Sequence, residues 1–123
     1  MTEWNPAEVD QLARTKEIQI TSPRADGTPR EPVTIWVVGV GENLYIRSVK
    51  GAAGAWYQGA EKGAAGQVEG GGVDRAVSFA EADHDLDDQI DAAYREKYSD
   101  SPGAVESITS PEARATTLQL LPA

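Results

Sequence analysis

Two apolar, strand-like runs dominate the middle of the chain, Thr34–Val40 and Asn43–Ser48, with only Gly41-Glu42 between them. Apolar runs separated by a two-residue turn read as an antiparallel hairpin. Upstream, Asn5 is a candidate N-cap and Pro6 a candidate first helical residue, so Asn5 to Ala13 reads as a short helix with Val9 and Leu12 inward. Ile18–Thr21 alternates and reads as a first strand, and Asp26-Gly27 marks a tight turn in the Pro- and Gly-rich stretch that follows. Beyond the hairpin, a short helix is expected around Ala55 to Glu61. A second hairpin, Gln67–Glu69 with Val73–Phe79, is expected across Gly70-Gly71-Gly72. From Asp85 to Tyr98 the apolar spacing becomes helical, with acids early and Arg95 and Lys97 late, as the helix dipole favours. Ser110-Pro111-Glu112 opens another helix, and Thr116–Leu121 reads as a last strand. About six short strands with two to four helices predict one α+β domain built on a small antiparallel barrel. Its core is expected to contain Ile35, Val37, Leu44, Ile46, Val77, Phe79, Ile90 and Tyr94.

Composition narrows the functional classes. The 123 residues fit a single domain with a modest core. No run approaches the ~20 apolar residues of a membrane helix, and the opening residues lack the cationic and apolar regions of a signal peptide. The chain has no Cys and one His. Disulfides, thiolate metal sites and cysteine nucleophiles are thereby excluded, and a cytoplasmic setting is expected. A net charge of −9 argues against nucleic acid, whose affinity comes mostly from neutralised phosphates. The charge is uneven: Arg14 to Lys50 carries a net +2, which leaves −11 on the rest. A basic island in an acidic protein suits a small anionic ligand, although the acidity can also serve solubility alone.

The candidate chemistry lies where the central hairpin ends. Arg47-Ser48-Val49-Lys50-Gly51 sets two cations, a hydroxyl and a flexible backbone within five residues, a set able to hold a phosphate. Trp56 and Tyr57 follow at a distance suited to covering a flat ring. Together they point to a phosphorylated, planar ligand at a barrel rim. The alternatives are solvated edge charges for Arg47 and Lys50 and core packing for the aromatics. The acids Asp83, Asp85, Asp87, Asp88 and Asp91, with His84, offer metal-ligand chemistry, but they lie where a helix begins, and capping accounts for them. No metal site is expected. Ser22, Ser48, Ser78 and Ser99 lack a nucleophile-elbow context, and Gly59 to Gly72 lacks the order of a dinucleotide fingerprint.

Thr34–Val38, Tyr45–Ser48, Trp56-Tyr57 and Ile90–Tyr98 carry a resemblance to the bacterial family catalogued as domain of unknown function 2255, spanning Ile18 to Pro122. At greater distance the first half resembles the deazaflavin-dependent nitroreductases. These resemblances imply an FMN-binding split barrel, usually dimeric, with FMN or a deazaflavin near the subunit boundary. Carried over, Ser48, Lys50 and Gly51 match the phosphate-binding turn and Trp56 and Tyr57 the aromatic pair. Arg24 matches the basic residue of the turn before the second strand. Ala55 stands where the nitroreductases have Pro, and Asp26 where they have a second hydroxyl. The implied function is a small flavin- or deazaflavin-dependent oxidoreductase acting on a small molecule, with the catalytic residues unknown. The alternative is a barrel without cofactor that binds a ligand or a partner.

Overall fold

In the computed structural model, residues 4–24, 26, 28–60 and 65–122 are described. Gly27 of the expected tight turn and Glu61 of the expected short helix lie outside them. Among the described residues, seven strands and five α-helices follow in the order α1 (Pro6–Arg14), β1 (Ile18–Thr21), β2 (Val33–Ile35), β3 (Val38–Val40), β4 (Asn43–Ile46), α2 (Ala55–Ala60), β5 (Ala65–Gly70), β6 (Val73–Glu81), α3 (Asp87–Lys97), α4 (Pro102–Ile108), α5 (Pro111–Arg114) and β7 (Leu118–Pro122). That is one strand and one helix more than expected. None of the described helices is long and apolar enough to cross a membrane.

The strands form one antiparallel sheet in the order β2-β1-β5-β6-β7-β4-β3. Its two end strands, β2 and β3, are joined by only Trp36 and Val37. A flat seven-stranded sheet would be about 29 Å wide, whereas the link from Ile35 to Val38 reaches about 10 Å at most. The sheet must therefore curl until its edges nearly meet. That makes a small split barrel with its seam at Trp36-Val37.

The expected single strand Thr34–Val40 is broken at this seam, and the cause lies on α3. The Tyr98 hydroxyl bridges the Val37 N–H and C=O at 3.3 and 3.2 Å, and Lys97 Nζ donates to the same carbonyl at 2.6 Å. With its backbone groups taken by side chains, Val37 joins neither neighbouring ladder. β2 pairs with β1 (Ile18↔Ile35), and only β3 forms the expected hairpin with β4 (Val38↔Tyr45).

Two apolar clusters flank the sheet. Leu44 and Ile46 point into the barrel with Leu12, Ile18, Ile20, Val37, Val77, Phe79 and Leu120. Tyr45, on the opposite face of β4, packs outside the barrel with Val38, Ile90, Tyr94, Tyr98 and Ile108. Burial on both faces explains why β4 reads as a continuous apolar run. Ile35, expected in the core, is only partly buried, because it lies on an end strand. The β5–β6 hairpin turns on Gly71 and Gly72, whose φ of +57° and +87° require residues without a Cβ. At the N-terminus of α1, Asn5 and Glu8 form a reciprocal cap, with Ala7 N–H donating to Asn5 at 2.8 Å and Asn5 N–H donating to Glu8 at 3.3 Å.

Candidate functional site

β4 delivers the expected basic turn to the mouth of the barrel. After Ile46 the chain leaves the sheet: Arg47 and Ser48 stay buried, whereas Val49 and Lys50 emerge into solvent. Gly51, at φ +64°, then reverses the chain, and its N–H bonds to the Ser48 carbonyl at 3.0 Å. A short 3-10 turn over Gly51–Ala53 leads into α2, which returns Trp56 to the barrel. This loop, β2 and α4 enclose a cleft of about 440 Å³. Its walls are mainly apolar (Val33, Ile35, Val49, Trp56, Ile108), and Glu17, Ser48 and Lys50 contribute polar groups.

The four lining residues foreseen in the sequence, Arg47, Ser48, Lys50 and Trp56, are brought together here. Gly51 shapes the turn without lining the cleft. Tyr57 packs into the barrel core, edge-on to Trp56 with ring centroids 6.2 Å apart. Trp56 belongs to the core cluster and also lines the cleft. Arg24 lies away from the cleft. Its Nη1 donates to the Pro29 carbonyl at 2.9 Å, closing the turn that Thr28 and Asp26 also hold, so the local turn and not the cleft sets its place.

Arg47 has a different job from the one its spacing implied. Its side chain has no solvent exposure. Nε donates to Thr117 Oγ1 at 2.9 Å, Nη1 to the Asp91 carboxylate and to the Ile108 carbonyl at 3.2 Å, and Nη2 to the Asp87 carbonyl at 3.3 Å. The Asp87 carboxylate lies 3.7 Å from Nη2, and the Tyr94 ring centroid lies 5.5 Å from Cζ. The guanidinium thus bolts α3 and α4 to the end of β4, and its donors point away from any ligand. Arg114 Nε, 3.3 Å from Asp91, extends the network toward the surface. Lys50, by contrast, is exposed and has no ion-pair partner among the described residues.

The acid-rich segment also divides by role. Asp83 caps the turn before α3 by accepting from Asp85 N–H at 2.9 Å, as capping required. Asp87 and Asp91, one helical turn apart, face Arg47 instead. His84 sits beside Asp87 at 3.2 Å, outside the cleft lining. Sequence reasoning missed Glu17, the β2 residues, Trp36 and Ile108 as lining. Each reaches the cleft through tertiary packing and not through proximity to the basic turn.

Fold and cleft define a split-barrel domain with a ligand-sized opening beside its seam. Residues 8–120 match the family described as "Uncharacterized protein conserved in bacteria (DUF2255)", and the chain belongs to that family. No curated protein matches it. Among solved structures it is similar to the FAD and heme binding protein from Mycobacterium smegmatis, with a TM-score of 0.61 and 18% identity over 98% of this chain. That match spans 66% of the mycobacterial chain, just under two thirds. It is also similar to HutZ, the heme storage protein from Vibrio cholerae (TM-score 0.59, 12% identity, 98% of this chain and 88% of that one). A third neighbour is the conserved hypothetical protein Rv2991 from Mycobacterium tuberculosis (TM-score 0.55, 10% identity, 99% and 81%).

Proposed function

We propose that the cleft holds a flat, phosphorylated cofactor of the flavin type, FMN or a deazaflavin, and that the protein is a small oxidoreductase acting on a small molecule. The observation that carries this reading is the meeting of Ser48, Lys50 and Trp56 on one mainly apolar cleft of about 440 Å³. That volume lies in the range of small-molecule sites. Lys50 would hold the phosphate and Ser48 would add a hydroxyl, while Trp56, Val33 and Ile35 would flank the ring. Ala104 and Ile108 would keep water from it. Such a group supplies the hydride chemistry when bound, and the chain supplies orientation and a dry wall. Fold similarity to a protein that binds FAD and heme supports a ligand of cofactor size. Between those two groups the lining favours the flavin, because its described residues include no His, Cys, Met or Tyr to ligate a heme iron.

Val49, 57% exposed at the rim of the cleft, supports a homodimer that covers this face, and the absence of Cys supports a cytoplasmic setting. A second reading, a barrel that binds a ligand or partner without cofactor, draws on Arg47, whose donors are spent inside the protein. The visible absorption spectrum of the purified protein, followed by titration with FMN and with a deazaflavin coenzyme, separates the two. A flavin band that co-elutes with the protein, or saturable uptake of either cofactor, is expected. Colourless protein that takes up neither would leave the cofactor-free module.

A further inference from the structure

The cleft lining carries a carboxylate as well as an ammonium. Glu17 and Trp36 line it together with Lys50. Ile18 pairs with Ile35 as the last rung of the β1–β2 ladder. Glu17 and Trp36 are the next residues beyond this rung, where the ladder stops, and both line the cleft. Tyr98 covers one face of the Trp36 indole, with centroids 3.7 Å apart and planes 4° from parallel. The surface that Trp36 shows to the cleft is therefore the part Tyr98 leaves open.

Glu17 is exposed and has no ion-pair partner among the described residues. Its sequence neighbour Lys16 is engaged 3.3 Å from Asp100. Lys97, over the Tyr98 ring, gives its Nζ to the Val37 carbonyl and does not line the cleft. A carboxylate without a counter-ion beside an aromatic surface is a recurrent site for organic cations, which gain both the Coulomb and the cation–π attraction. The net charge of −9 adds a long-range field that draws cations toward the protein.

We infer that Glu17 and Trp36 in the cleft lining bind the cationic head of an organic substrate, an alkylammonium or N-alkylpyridinium group. The inference rests on reading the cleft as a small-molecule site and names the charge of the second ligand. The phosphate of the cofactor and the positive charge of the substrate then each meet a side chain of opposite sign.

Calorimetric titration with 1-methylnicotinamide chloride and with neutral nicotinamide tests this, with and without FMN. The expected result is at least about ten-fold tighter binding of the cation. That preference should shrink to about two-fold in Glu17→Gln, whose exposed site leaves the fold intact, and should weaken as salt is raised. Equal affinities, no binding of either probe, or a preference unchanged in Glu17→Gln overturns the inference. Uptake of FMN with equal affinity for the two probes overturns it and leaves the cofactor reading standing. A cation preference in protein that takes up no FMN sustains it while the cofactor reading falls.

Discussion

Arg47 and Asp91 form an ion pair inside the protein, between the end of the fourth strand and the first turns of α3. The guanidinium is wholly enclosed, and Asp87, Thr117 and the Ile108 carbonyl complete its shell. Removing one partner of such a pair leaves an uncompensated buried charge, which costs about 3–5 kcal/mol. Asp91→Ala should therefore lower stability by about that much in urea titration. Arg47→Lys should also destabilise, because an ammonium cannot serve Thr117, Asp91 and Asp87 from one plane.

Tyr94 on α3 and Tyr98 at its C-cap should respond oppositely to loss of the hydroxyl. The Tyr94 hydroxyl is buried and makes no side-chain hydrogen bond among the described residues, with the Arg47 backbone lying near it, and burial pushes its pKa well above the usual range. Tyr94→Phe should be neutral or stabilising by up to about 1 kcal/mol. The Tyr98 hydroxyl bonds the Lys16 carbonyl at 2.5 Å as well as Val37, so Tyr98→Phe should cost about 1–3 kcal/mol. Thermal and urea unfolding of both variants checks the contrast.

Lys97 and Tyr98 set an alkaline stability profile. Burial lowers the Lys97 pKa from 10.5 to about 8, and burial raises that of Tyr98 from 10.0 to about 12. Between pH 8 and 10.5 the unfolded chain binds more protons at Lys97 than the folded one, so this group's contribution to stability rises with pH. Between pH 10 and 12 the folded chain keeps the Tyr98 proton that the unfolded one loses, so stability then falls. Melting temperature should climb from pH 8 toward 10 and decline above it. Lys97→Met should remove the climb and keep the decline.

Affinity for the cofactor is predicted to depend on Lys50. Lys50→Ala should weaken FMN or deazaflavin binding about ten- to hundredfold, the value of one charge-assisted contact, with the melting temperature unchanged. Trp56→Ala should lose about 3–5 kcal/mol of stability in addition to affinity, because that indole belongs to the core cluster. An unchanged titration in Lys50→Ala would count against the phosphate grip.

Assembly is predicted to depend on Val49. If its exposed side chain is covered by a second copy, sedimentation should give a dimer for the unmodified chain and a monomer for Val49→Asp. A single species of monomer mass for both would exclude the pairing.

What the sequence revealed was set by distance along the chain. Ser48, Lys50 and Trp56 could be read as one site because a single loop carries them. The hairpins were visible because alternation and turn glycines are local signals. The strand break at Trp36-Val37 was not, since Ile35, Trp36, Val37 and Val38 form one uninterrupted apolar run. The groups that interrupt it, Tyr98 and Lys97, come 60 or more residues later. The role of Arg47 was hidden for the same reason, because its partner Asp91 lies 44 residues away. Arg24 shows the converse, a turn residue whose local bonds outweigh a role implied by analogy.

The position of the last strand governs how this domain is made. β7 lies between β6 and β4, joining Leu120 to Leu44 on one side and to Phe79 on the other. Until residues 118–122 arrive, the β3–β4 hairpin has no ladder to the rest of the sheet, and β4 and β6 each present an open edge. Any state that lacks β7 carries those two sticky edges. Closure is then a single insertion dominated by pairings distant along the chain, which slows folding.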